Sequence, residues 1–102
     1  MIPFVSLQLD KVYNLRFGMG AIVEFESLTG LKLMEIGEEM SFDICAKILW
    51  VMMRQENKEL TLEQVCALVD NYADSLDVVI EAVTKAIEGA FNTGKNSKPL
   101  KR

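Results

Sequence analysis

Ionisable and nucleophilic side chains are plentiful in this chain of 102 residues, but their spacing builds no reaction centre. Histidine is absent, so no serine or cysteine has an imidazole to take its proton. Cys45 and Cys66 lie 21 residues apart, without a Cys-x-x-Cys spacing, and each falls in an apolar helical pattern, so both are expected to be reduced core thiols. The close carboxylate pairs are Glu24 with Glu26 and Glu38 with Glu39. General acid-base work would require one member of a pair to sit in an apolar pocket with a raised pKa, whereas both pairs read as solvated surface. The twelve residues from Asp70 to Glu81 begin and end as a calcium-binding loop does, yet its interior fails. Tyr72 stands at a ligand position, Ser75 where a glycine would allow the turn, and Asp77 where an apolar residue belongs. Gly18-Met19-Gly20 lacks the third glycine and the lysine of a phosphate-binding loop. The expectation is a protein with no catalytic residues, metal or cofactor, and therefore not an enzyme.

The sharpest chemical motif is Ala73-Asp74-Ser75-Leu76-Asp77. Asp-Ser-Leu at the opening of a helix resembles the phosphopantetheine attachment site of acyl carrier proteins, where the serine hydroxyl lies at a helix N-terminus whose dipole suits a phosphate ester. The resemblance is incomplete: Ala73 replaces the glycine usual before the motif, and only Val78 to Phe91 and a polar tail follow it. Capping of the last helix by Asp74 or Ser75 is the preferred reading, with modification at Ser75 the alternative.

The elements that must position these residues are legible from periodicity. Val5, Leu7 and Leu9 alternate with Ser6 and Gln8, Asp10-Lys11 can turn, and Tyr13, Leu15 and Phe17 alternate with Val12, Asn14 and Arg16, which predicts an N-terminal hairpin over about residues 3–16. A first helix is expected from Phe17 to Thr29, with Ala21, Ile22, Phe25 and Leu28 inward and Gly30 as its left-handed cap. Leu31 to Ile36 can add a short helical piece, stopped by Gly37. Ser41 caps a helix running to about Gln55, with Asp43 in its first turn and Met40 placed to staple onto Cys45. Asp43, Lys47 and Arg54 share a narrow stripe of that helix. Phe42, Ile44, Cys45, Ile48, Leu49, Val51, Met52 and Met53 fill the rest, so this should be the central helix. Thr61 to Gln64 forms a capping box, with Leu60 able to staple onto Val65, and Val65, Leu68, Val69 and Tyr72 make the buried face that follows. A last helix runs to about Phe91, with Val79, Val83, Ala86 and Ala90 on one face and Glu81 paired with Lys85 outside. The fold class is thus mainly α: about four helices packed around a central hydrophobic helix, with a small N-terminal β-hairpin.

Composition sets the outer bounds. Half of the residues are apolar, enough for one domain, residues 1–91, that buries roughly 60 to 65% of its unfolded surface. The longest apolar run, Ile44 to Met53, is too short to span a bilayer, and no secretory leader is legible, so a cytoplasmic protein without membrane contact is expected. Residues 1–91 carry seven basic and fifteen acidic side chains, a net −8, whereas residues 92–102 carry Lys95, Lys98, Lys101 and Arg102 and no acid. An acidic body is unsuited to a phosphate backbone, so nucleic acid is not an expected partner. Residues 92–102 are polar, contain Gly and Pro and lack periodicity, which predicts a disordered tail.

Leu15-Arg16-Phe17, Ala21, Phe25-Glu26 and Thr29-Gly30, followed in order by a short Leu-rich turn, a Trp-bearing apolar helix, the Leu-Thr-Leu-Glu helix start and a last alanine-containing helix, resemble the tail assembly chaperones of long-tailed bacteriophages and prophages over about residues 12–91. The resemblance implies a non-enzymatic chaperone in the cytoplasm of a bacterial host, absent from the mature virion. Its partners would be the tape measure protein, which it keeps soluble, and the major tail tube protein, which it helps recruit; a homo-oligomer is admitted. From the residues themselves, Trp50 falls in the polar stripe between Lys47 and Arg54, and an exposed tryptophan beside flexible thioethers makes an adaptable contact surface. Trp50, Met52, Met53, Lys47 and Arg54 are therefore the expected partner-binding residues. A small regulatory interaction module is the remaining alternative.

Overall fold

Alternating burial sets the first element of the computed structural model, which describes residues 4–36 and 41–91. Strands β1 (Val5–Gln8) and β2 (Val12–Leu15) pair antiparallel with Val5 opposite Leu15 and Leu7 opposite Tyr13. Leu7 and Leu15 point inward and are joined by Leu9 from the turn and by Phe17 beyond β2, while Ser6 and Asn14 face out and their side chains meet at 3.5 Å. The pairing stops at Gln8, one residue short of the expected alternation, because the Leu9 N–H turns to donate to the Lys11 carbonyl at 2.9 Å.

Helix α1 (Met19–Thr29) begins two residues later than its apolar spacing suggests, since Gly18 is extended at the N-cap and offers no side chain to the first turn. Phe17 instead runs into the core, where its ring meets Phe25 edge-on with centroids 6.1 Å apart. Such a pair adds about 1 kcal/mol beyond its area burial. Gly30 ends the helix at φ 76° and donates its N–H to the Glu26 carbonyl at 2.9 Å, as a left-handed cap requires. The one-turn α2 (Leu33–Ile36) starts where the Leu33 N–H donates to Glu26 Oε2 at 2.9 Å.

Helix α3 (Phe42–Arg54) is the centre of the domain, as its nearly all-round apolar surface demands. Ser41 accepts the Ile44 N–H at 3.1 Å, and Cys45, Ile48, Leu49, Val51, Met52 and Met53 are buried against α1, β2 and the two helices that follow. Phe42 departs from the expected apolar arc: in the first turn, it overhangs the edge of the core and is 64% exposed.

Helix α4 (Leu62–Tyr72) opens with the complete capping box, Thr61 Oγ accepting from Gln64 N and Gln64 Oε1 accepting from Thr61 N. Its expected buried face is only partly covered. Val65 is fully buried, Leu68 and Val69 are half-buried, and Tyr72 is exposed. Helix α5 (Leu76–Phe91) buries Val79, Ala82, Val83 and Ala86 beneath α3 and the hairpin, and Glu81 and Lys85 pair outside at 3.4 Å. The architecture is mainly α, with four helices of eleven or more residues around α3 and a hairpin closing one side of the core. No helix among the described residues is long and apolar enough to cross a membrane. The stop at Gly37, the Glu38-Glu39 pair, the Met40 staple and the basic tail 92–102 lie outside the described residues.

Candidate protein-binding groove

Helices α4 and α5 each pack on α3 but hardly on each other. The chain leaves α4 at Ala73, which is extended with ψ 144°, and re-enters a helix three residues later, where Ser75 Oγ accepts the Val78 N–H at 3.2 Å. Between the two helices lies a cleft of about 390 Å³. Its floor is Cys45, Ala46 and Leu49 of α3. One wall is Leu62, Val65, Cys66 and Val69, successive turns on one face of α4, and the other is Leu76, Val79 and Ile80 of α5. Phe42, Asp43 and Asp70 complete the lining.

The expected partner-binding residues stand elsewhere and are already engaged. Trp50 is half-buried, its Nε1–H donates to the Leu60 carbonyl at 2.9 Å, and the Arg54 guanidinium lies 5.6 Å from its ring centroid. Arg54 also binds Glu24 Oε2 through Nε at 2.9 Å and Nη2 at 2.8 Å, and donates through Nη1 to the Lys58 carbonyl at 2.9 Å. Met52 and Met53 are core residues, 2% and 4% exposed, and Lys47 pairs with Asp43 at 3.1 Å. A helical wheel treats the stripe through Trp50 and Arg54 as facing solvent, but α1 and the α3–α4 connection fold over it. Met52 and Met53 are thus part of the core and Trp50 and Arg54 tie α3 to neighbouring segments, whereas Lys47 makes only an ion pair one turn away on its own helix.

Two further expectations are corrected. Cys45 is buried, and burial pushes its thiol pKa up, but Cys66 is exposed on the wall of the groove. Glu24 and Glu26 are not free solvated carboxylates. Burial raises the pKa of Glu24, yet hydrogen bonds from Gln55 and Arg54 and the charges of Arg54 and Lys58 outweigh it, so the group titrates below the ordinary carboxylate value. Glu26 is tied to the first turn of α2. Ser75 is exposed at the N-terminus of α5, and its hydroxyl oxygen accepts a capping bond. Among the described residues no group of three or more acidic, cysteine or histidine side chains is placed to hold a metal ion.

Phe42 and Leu76, the exposed apolar edges of the groove, were not singled out as contacts by periodicity. Each stands immediately after a serine N-cap, Ser41 and Ser75, and a large apolar side chain at that first helical position has little core within reach. That adjacency is the signal in the sequence.

These features define a small, mainly helical domain with an open apolar groove between two helices. Comparison of the chain with protein-family models, curated proteins and solved structures gave no match.

Proposed function

We propose that this chain is a non-enzymatic binding protein, a tail assembly chaperone that keeps a phage or prophage tape measure protein soluble and helps recruit the major tail tube protein. The observation that carries this reading is the α3–α4–α5 groove, an apolar trough of about 390 Å³ edged by Phe42 and Leu76, which are 64% and 52% exposed. Grooves of this kind receive the apolar face of an amphipathic helix. The order of sequence features from Leu15 to Phe91 supplies the family reading. On this reading the protein works in the host cytoplasm and leaves no copy in the finished virion.

The test is co-expression with a tape measure protein encoded beside this chain. Wild type should raise its soluble fraction several-fold, and Phe42→Ser and Leu76→Asp should remove most of that gain. Both positions are exposed, so the variants should stay folded, with stability changes within about 0.5 kcal/mol. No gain of soluble client with wild type would overturn the reading.

A second reading, a carrier domain modified at Ser75, is favoured by the exposure of Ser75 immediately before Leu76 of the groove. Incubation with a phosphopantetheinyl transferase tests it: a mass increase lost in Ser75→Ala supports the carrier, and an unchanged mass removes it.

A further inference from the structure

We infer that the occupant of the groove is an amphipathic client helix whose apolar ridge is flanked by lysine or arginine. This deepens the reading of the chain as a binding protein and rests on it. The segment from Leu62 to Ile80, which forms both walls, carries Glu63, Asp70, Asp74 and Asp77 and no basic residue. All four carboxylates are exposed, and Asp70 lies in the lining itself. The other charged group there, Asp43, is balanced by Lys47 of its own helix, so the walls keep their net −4. An apolar floor beside Asp70, between helices that carry acids and no base from Leu62 to Ile80, selects for charge as well as shape: cations flanking the ridge would meet carboxylates, whereas acids there would be repelled.

The dimensions suit a helix. The α4 wall is eleven residues long, about 16 Å at 1.5 Å per residue, which matches a three-turn ridge with anchors at i, i+4 and i+7. A second copy of the body is disfavoured, because residues 1–91 carry −8 and would bring like charge to like. The chain's own residues 92–102 are basic, but Leu100 and Pro99 are their only apolar side chains, too few to form a ridge.

Three fluorescent synthetic helical peptides test this against the full-length protein by anisotropy: one with a leucine ridge and lysine flanks, one with the same ridge and glutamate flanks, and a scrambled lysine peptide without a ridge. The lysine-flanked ridge should bind at least about tenfold more tightly than the glutamate peptide at low salt, with the gap narrowing as salt rises. Asp70→Asn with Asp74→Asn should shrink that gap, and Leu76→Asp and Phe42→Ser should each abolish ridge binding while helical circular dichroism is retained. Equal binding of the lysine and glutamate ridges, equal binding of the scrambled peptide, or no binding at all would overturn the inference. So would a homodimer in sedimentation that Leu76→Asp dissolves, because it would assign the groove to a second copy. Peptide binding without solubilisation of a tape measure protein would leave the groove assignment standing and remove the chaperone reading; solubilisation that persists in Leu76→Asp would do the reverse.

Discussion

Arg54 grips Glu24 through two nitrogens on one carboxylate oxygen, Nε at 2.9 Å and Nη2 at 2.8 Å, while Gln55 Nε2 donates to the other oxygen at 2.8 Å. This cluster joins α1 to the end of α3 across 30 residues of sequence and makes Glu24 an acid-sensitive fastener. The Glu24 pKa is depressed in the fold, so its stabilisation is complete above the ordinary value of about 4.5 and is lost as pH falls through the lower, folded value. Urea midpoints measured from about pH 7 down to about pH 3 should therefore fall more steeply for wild type than for Glu24→Gln. The variant should also be about 1 kcal/mol less stable at neutral pH.

Tyr13 should report the opposite end of the pH scale. Burial, then its hydrogen bond to Asp10 at 2.8 Å and the charges of Asp10 and Glu56, push the phenol up to about 12 from 10.0. The folded state holds this proton more tightly than the unfolded chain, so the stabilisation is complete below about pH 10 and lost as pH rises towards 12. In a Tyr72→Phe background, absorbance titration should find the remaining tyrosinate near 12, and Asp10→Asn should lower that value.

Trp50→Ala should destabilise the domain by about 3 kcal/mol in urea unfolding, because it opens a gap beside α3 and leaves the Leu60 carbonyl without its donor. Trp50→Phe, which keeps most of the ring, should cost about 1 kcal/mol. Binding of the lysine-flanked ridge peptide to the Trp50→Phe protein, measured where it is still fully folded, should match wild type, since Trp50 lies outside the groove.

The two thiols should behave as different reagents. A small alkylating agent at neutral pH should modify exposed Cys66 quickly and buried Cys45 only on unfolding, giving a single mass addition to the native protein. A groove-bound ridge peptide should slow the Cys66 reaction.

Helix ends offer the cleanest stability probes. Gly30→Ala should cost about 1 kcal/mol: a Cβ there meets no atom within 4 Å, so the penalty comes from φ 76° alone. Thr61→Ala should also cost about 1 kcal/mol through loss of the capping box, and differential scanning calorimetry would record both as lower Tm.

Local signals carried most of the architecture. The hairpin strands alternate every second residue, and the Gly30 stop, the Ser41 cap and the Thr61 box each join neighbours within four residues, so the sequence displays them directly. The groove was not legible, because it depends on α4 and α5 diverging from a shared seat on α3, a relation between residues as distant as Cys45 and Ile80. The same limit hid the surroundings of Trp50. Its polar stripe looked open on a wheel, and only the return of Leu60 and the reach of Arg54 to Glu24 cover it. Tyr72 and Cys66 erred in the other direction, since apolar spacing along α4 promised a cover that α5 does not supply.

That missing cover leaves one long face of α4 wet. Its first turn is fixed by the capping box and by the Trp50 bond to Leu60, its seat is α3, and its last turn is tied to α5 through the short stretch from Ala73 to Ser75. Amide hydrogen exchange should accordingly be faster in α4, where Cys66 and Tyr72 face water, than in α3, whose residues are buried on most sides. A client seated on that wet face would dry it and slow the exchange of α4.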